Sequence, residues 1–139
     1  MNRHEARIKA IQALYQIDLV KKDSEEAIEY VLSHDDQGNE LENIDKQDGE
    51  FLKQLVLGVT ENQAVLDEKI ASATEKWSLD RFGKVDLAIV RLATYEMMHE
   101  EGIPLNVTFN EAIELAKAFS DENSRRFVNG VLSKVKATF

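Results

Sequence analysis

Apolar residues recur at three- and four-residue intervals along almost the whole chain. The runs are Ala10, Leu14 and Ile17; Leu52, Leu55, Val56 and Val59; Val85, Ile89, Leu92, Ala93 and Met97; Ile113, Ala116 and Phe119; and Phe127, Val131 and Val135. This is the period of helices that bury one stripe each. Alternating runs flanked by tight-turn dipeptides, which would mark strands, are missing. One proline and six separated glycines leave long stretches free for helix. The pattern predicts an all-α fold with helices near 3–20, 24–34, 48–60, 63–75, 83–101, 109–119 and 123–137. Asp23 with Glu26, Thr60 with Gln63 and Thr108 with Glu111 each fit a capping box or its aspartate variant. Gly102 is expected to close a helix in the left-handed conformation, and Pro104 to prevent its resumption. Residues 35–49 read as a polar loop, while Trp77, Phe82, Phe119 and Phe127 suit core or groove positions.

A length of 139 residues suits one domain. Without cysteine there are no disulfides or thiolate metal sites. No apolar signal run opens the chain, and no stretch approaches the ~18 apolar residues of a membrane span. A soluble cytoplasmic protein without membrane association is the expectation. The net charge of −9 disfavours nucleic acid only until its placement is considered. Residues 23–51 hold eleven acids against the single base Lys46, a net of −10, and the rest of the chain carries +1. Residues 1–22 carry +3 and residues 120–139 carry +2. Two basic ends and one acidic segment make a polarised chain, and local field matters more than the total. The bland alternative is that these charges are solvated faces.

Catalysis has little to stand on. His4, His34 and His99 lie far apart in sequence and show no metal-binding pairing. No nucleophile elbow occurs, and the isolated Gly58, Gly83 and Gly130 form no phosphate cradle. Acid pairs such as Glu100-Glu101 read as solvated helix surface. A non-enzyme without metal or cofactor is expected.

The first helix is more informative. Arg3 and Arg7 are one turn apart, and at 100° per residue Ala10, Leu14 and Ile17 lie within about 40° of the same azimuth. The apolar stripe therefore becomes an arginine stripe toward the N-terminus, and the two arginines are expected to overhang the end of the bundle. Cations in a first turn oppose the helix dipole. Either they are used for binding, or their stems cap the core and their guanidinium groups sit in water.

Four segments carry a family resemblance: Ala13-Leu14-Tyr15-Gln16, Val85-Asp86-Leu87-Ala88-Ile89-Val90-Arg91-Leu92-Ala93, Asn110-Glu111-Ala112-Ile113-Glu114-Leu115-Ala116-Lys117 and Phe127-Val128-Asn129-Gly130-Val131-Leu132. With the basic start Arg3-His4-Glu5-Ala6-Arg7, they resemble the NusB family of bacterial transcription antitermination factors over nearly the whole length. The resemblance implies a single-domain bundle of about seven helices in two subdomains, about 1–75 and 76–139. It also implies binding of boxA RNA with NusE, a small-subunit ribosomal protein. The complex would attach to elongating RNA polymerase and suppress termination, notably in ribosomal RNA operons. His4 and Glu5 stand where relatives often carry arginine, which implies weak RNA binding without the partner.

Single-stranded RNA needs cations for phosphate and flat surfaces for bases. The resemblance places those on the first helix and at the start of the last. Arg3, Arg7 and Lys9 are then phosphate binders, joined by His4 when protonated, and Gln12, Tyr15 and Gln16 offer amide and ring contacts. Tyr15 is equally readable as core. Arg125 and Arg126 add charge at the last helix, where Asn123 and Ser124 supply neutral hydrogen-bonding groups. Phe127 either stacks on a base or packs, and Asn129 and Gly130 read as structural, the glycine allowing close helix contact. For NusE the resemblance points to Asp86, with Tyr95, Glu96 and Glu111 as further candidates. Leu87 replaces a common arginine there, and the helix dipole alone also accounts for Asp86. Two alternatives stay open: a protein–protein adaptor or homodimer without an RNA role, and a relative of the RNA-recognition domain of ribosomal RNA cytosine methyltransferases.

Overall fold

The periodicity is realised as seven α-helices in the computed structural model, which describes residues 2–35, 37–40, 46–75, 79 and 82–139. They are α1 (Arg3–Val20), α2 (Ser24–Ser33), α3 (Lys46–Glu61), α4 (Gln63–Ala73), α5 (Lys84–His99), α6 (Leu105–Phe119) and α7 (Glu122–Lys136). Among the described residues outside the helices, an isolated bridge joins His34 and Glu40. Trp77 lies outside the described residues. The fold is all-α, as expected, and none of the described helices is long and apolar enough to cross a membrane.

Two compact units divide the chain, residues 1–61 and 62–139. In the first, α1, α2 and α3 pack on one another. α1 turns Ala6, Ala10, Ile11, Ala13 and Leu14 inward, α2 contributes Ala27, Ile28 and Val31, and α3 adds Phe51, Leu52, Leu55, Val56 and Val59. The alanines on α1 leave room for its neighbours to approach closely. Asn2 caps α1, its side-chain oxygen accepting the Glu5 N–H at 2.8 Å. Asp23 caps α2 as expected, accepting the Glu26 N–H at 3.4 Å.

The second unit is built around α5, which packs on α4, α6 and α7. Ten of its residues, from Leu87 to Met97, are buried, as befits a helix enclosed on several sides. α7 brings Val128, Val131, Leu132 and Val135 to this core at intervals of three, four and seven. The boundary falls earlier than the sequence suggests because α4 belongs here. Its Leu66 and Ile70 are buried, and Asp67 takes a bidentate contact from Arg91 of α5 at 2.7 and 2.8 Å.

Four local expectations differ. Thr60 does not cap α4; its hydroxyl donates to the Val56 carbonyl within α3, and Asn62 stands at the cap position. α6 begins at Leu105 rather than near 109, with Pro104 at its N-cap, so Thr108 is buried inside the helix. A proline that cannot continue one helix is well suited to start the next, because its missing N–H is unneeded there. The left-handed positions among the described residues are Lys21, Glu75 and Gly38, so Gly102 is not one of them. The expected polar loop is shorter than 35–49, since α3 begins at Lys46.

Candidate nucleic-acid interface

Helix periodicity put Arg7 on the stripe that α1 buries, and the structure keeps it there rather than letting it overhang. Arg7 is 4% exposed, with its guanidinium carbon 5.4 Å from the centroid of the Phe51 ring. Arg3, one turn earlier, lies closer over the same ring at 3.8 Å, and its side chain remains 47% exposed. Its Nε is 3.9 Å from Oδ1 of Asp48. One aromatic ring on α3 thus lies within cation–π range of both arginines of α1, with Arg3 the closer.

Lys9 is committed elsewhere. Its ammonium donates to the carbonyls of Val31 and His34 at 2.8 and 2.9 Å. Both belong to the end of α2, where carbonyls lack intrahelical partners and a cation is favoured. His4, Gln12 and Gln16 are half-buried, and Tyr15 is exposed on the outer side of α1 rather than in the core. The amide oxygen of Gln16 is buried without a hydrogen-bond partner among the described residues.

The remaining RNA candidates stand at the start of α7, in the second unit. Asp121 caps this helix by accepting the Ser124 N–H at 2.9 Å. A carboxylate of the chain itself therefore occupies this helix start, a position that favours anions. Glu122 pairs with Arg125 at 3.6 Å and Arg126 at 3.1 Å, yet the Arg126 side chain is 73% exposed. Asn123 is exposed and Ser124 half-buried. Phe127 packs edge-on against the buried Phe82, their centroids 4.7 Å apart, which favours packing for this residue. Gly130 is exposed and, among the described residues, nothing lies within 4 Å of an added Cβ, so the expected close helix contact is not seen there; the Asn129 amide oxygen accepts from the Ser133 hydroxyl.

The partner candidates separate in the same way. Asp86 is half-buried at the start of α5, with the Ser120 hydroxyl 3.5 Å from its Oδ1, and Glu111 is half-buried on α6. Tyr95 and Glu96 are corrected to core positions, because α5 is enclosed by three helices, and the Tyr95 ring lies against that of His99. Among the described residues no group of three or more His, Asp or Glu side chains is placed to hold a metal.

Phe51 and Asp48 were missed by sequence reasoning. The signal was present: two arginines on a buried azimuth are accommodated well by an aromatic or acidic counterpart on a packed helix. Which helix supplies it depends on tertiary packing.

A model of the NusB family matches residues 4–137. The transcription antitermination protein NusB of Geobacillus kaustophilus is 50% identical over 137 residues, covering 99% of this chain and 97% of that protein. A solved structure of T. maritima NusB superposes with a TM-score of 0.84 at 37% identity, over 99% of this chain and 92% of that one. A crystal structure of the antitermination factors NusB and NusE in complex with double-stranded RNA aligns at 28% identity and a TM-score of 0.84, over 99% of this chain and 97% of that one. These matches run over nearly the whole length and show that the chain belongs to the NusB family, whose curated relatives are transcription antitermination proteins.

Proposed function

We propose that this chain is a cytoplasmic, non-catalytic antitermination factor that binds boxA-type single-stranded RNA together with NusE and acts on elongating RNA polymerase, notably at ribosomal RNA operons. The observation that carries the reading is Arg3, a half-exposed guanidinium lying 3.8 Å over the Phe51 ring at the basic end of α1. Tyr15 offers an exposed ring and Gln12 an amide on the same helix, and Arg126 offers the most exposed cation at the start of α7. Arg7 and Lys9 serve this surface indirectly, one as a buried support and the other by fastening α2 to α1. Asp86 is the best-placed candidate for NusE, and the likeness to the NusB–NusE–RNA structure supports that partner.

The test is a titration of the chain with a boxA-type strand and a scrambled control, with and without NusE. The boxA-type strand should bind more tightly, and NusE should strengthen it. Arg3→Ala should weaken binding and flatten the log–log salt dependence by roughly 0.7 per lost phosphate contact. Equal affinity for both strands, with no effect of Arg3→Ala, would sink the reading.

A further inference from the structure

We propose that Asp48 limits the RNA affinity of this chain by competing with a phosphate for Arg3, while Phe51 acts as the positioning residue that holds the guanidinium in place. The proposal rests on the RNA-binding reading above, gives Phe51 a positioning role there, and adds Asp48 of α3, a residue that reading does not use.

Asp48 lies in the first turn of α3 and Phe51 one turn later, so both side chains share one helix face. Arg3 meets that face from α1, stacked at 3.8 Å on the ring and 3.9 Å from the carboxylate. The ring is buried in the core of the first unit. It therefore fixes one side of the guanidinium before any ligand arrives, which lowers the ordering cost of binding. The ion pair is different in kind. At 3.9 Å it sits at the outer limit of contact, and it runs through Nε rather than through the terminal fork that matches a phosphate. Asp48 is also shielded, its side chain 13% exposed against 47% for Arg3.

An arriving phosphate thus meets a cation already aligned but partly neutralised. The carboxylate attracts Arg3 in the free protein and repels the phosphate in the complex. Both effects weaken binding, so removing the charge strengthens it. The stack survives the exchange, and Arg3 changes its anionic partner without leaving the ring.

The experiment compares RNA affinity of the full chain with Asp48→Asn, Arg3→Ala, the double variant, and Glu50→Gln as a neighbouring exposed acid on α3. Asp48→Asn should tighten binding by roughly three- to tenfold at low salt, with the gain shrinking as salt is added. The gain should vanish when Arg3 is alanine, and Glu50→Gln should change affinity by less than about twofold. No gain, a gain that persists without Arg3, or an equal gain from Glu50→Gln overturns the proposal. Should Asp48→Asn fail to fold, Arg3→Lys carries the test. Lysine keeps the charge but cannot lie flat on Phe51, so affinity should fall toward that of Arg3→Ala; affinity equal to the parent chain overturns the proposal. If the parent chain does not bind RNA through Arg3 at all, the broader reading fails and this one with it. If it does and Asp48 is silent, this proposal alone falls.

Discussion

Lys21 ends α1 with φ 55°, a left-handed conformation that costs a side chain with a Cβ, while its N–H donates to the Gln16 carbonyl. Glycine adopts that conformation freely and suits this position in helix ends. Lys21→Gly should therefore raise stability by about 0.5–1 kcal/mol in urea denaturation. At Asp35 the backbone shapes a charge instead. Its carboxylate accepts the Asn39 N–H at 2.8 Å and the Gln37 N–H at 2.9 Å, closing the turn that joins His34 to Glu40. The Asn39 N–H is the main reason the carboxyl is held below its ordinary value; partial desolvation opposes it, and the Gln37 N–H, the Asn39 side chain and the Lys9 charge add to the lowering. A lowered folded-state value means the stabilisation is fully present above the unfolded value, about pH 4. It is lost as pH falls through the lowered folded value. Amide shifts of Gln37 and Asn39 should stay constant above that range and move below it, and Asp35→Asn should abolish the titration. Lys9 teaches a related lesson: a lysine in a basic helix reads as a ligand contact until two carbonyls are found around its ammonium.

Between elements, the pair Arg91–Asp67 fastens α5 to α4 in fork-to-fork geometry, with side chains 12% and 26% exposed. Such pairs are sensitive to losing one partner, because the other charge is left poorly solvated. Arg91→Ala should destabilise the protein by about 2 kcal/mol, and Arg91→Lys should recover part of the loss without restoring both hydrogen bonds. Thermal unfolding of the two variants beside the parent chain checks this; equal stability of alanine and parent would mean solvent replaces the pair without cost. The same contact explains why α4 joins the second unit. Periodicity identified α4 as a helix but could not say which neighbour its Leu66 and Ile70 would meet. At α6 the local signal misled for a different reason. Thr108 and Glu111 satisfy the spacing of a capping box, yet Pro104 starts the helix a turn earlier and Thr108 is drawn into the interior.

On the scale of the whole chain, a net charge of −9 coexists with a basic start and a basic end. If RNA affinity comes from local cations, it must fall with salt despite the acidic total. Arg126→Ala should lower the salt slope by roughly 0.7, with stability nearly unchanged because its ion pair with Glu122 is exposed. A slope equal to that of the parent chain would rule out Arg126 as a phosphate contact. Helix number, six of the seven spans and the Asp23 cap were legible from spacing alone, because helix period and capping chemistry are local properties. The order of residue types in the four family segments was enough to indicate the NusB family, which the match over residues 4–137 then showed. The fate of each cation was not legible. Arg3, Arg7 and Lys9 have similar chemistry and lie within seven residues, yet one reaches solvent, one is buried beside an aromatic ring and one serves a helix end. That difference depends on α2 and α3, which approach α1 from positions distant in sequence. Sequence by itself determined the helices and the charges they bear. Only the tertiary packing decided which charges stay available, because desolvation and partner contact depend on neighbours that local spacing does not specify.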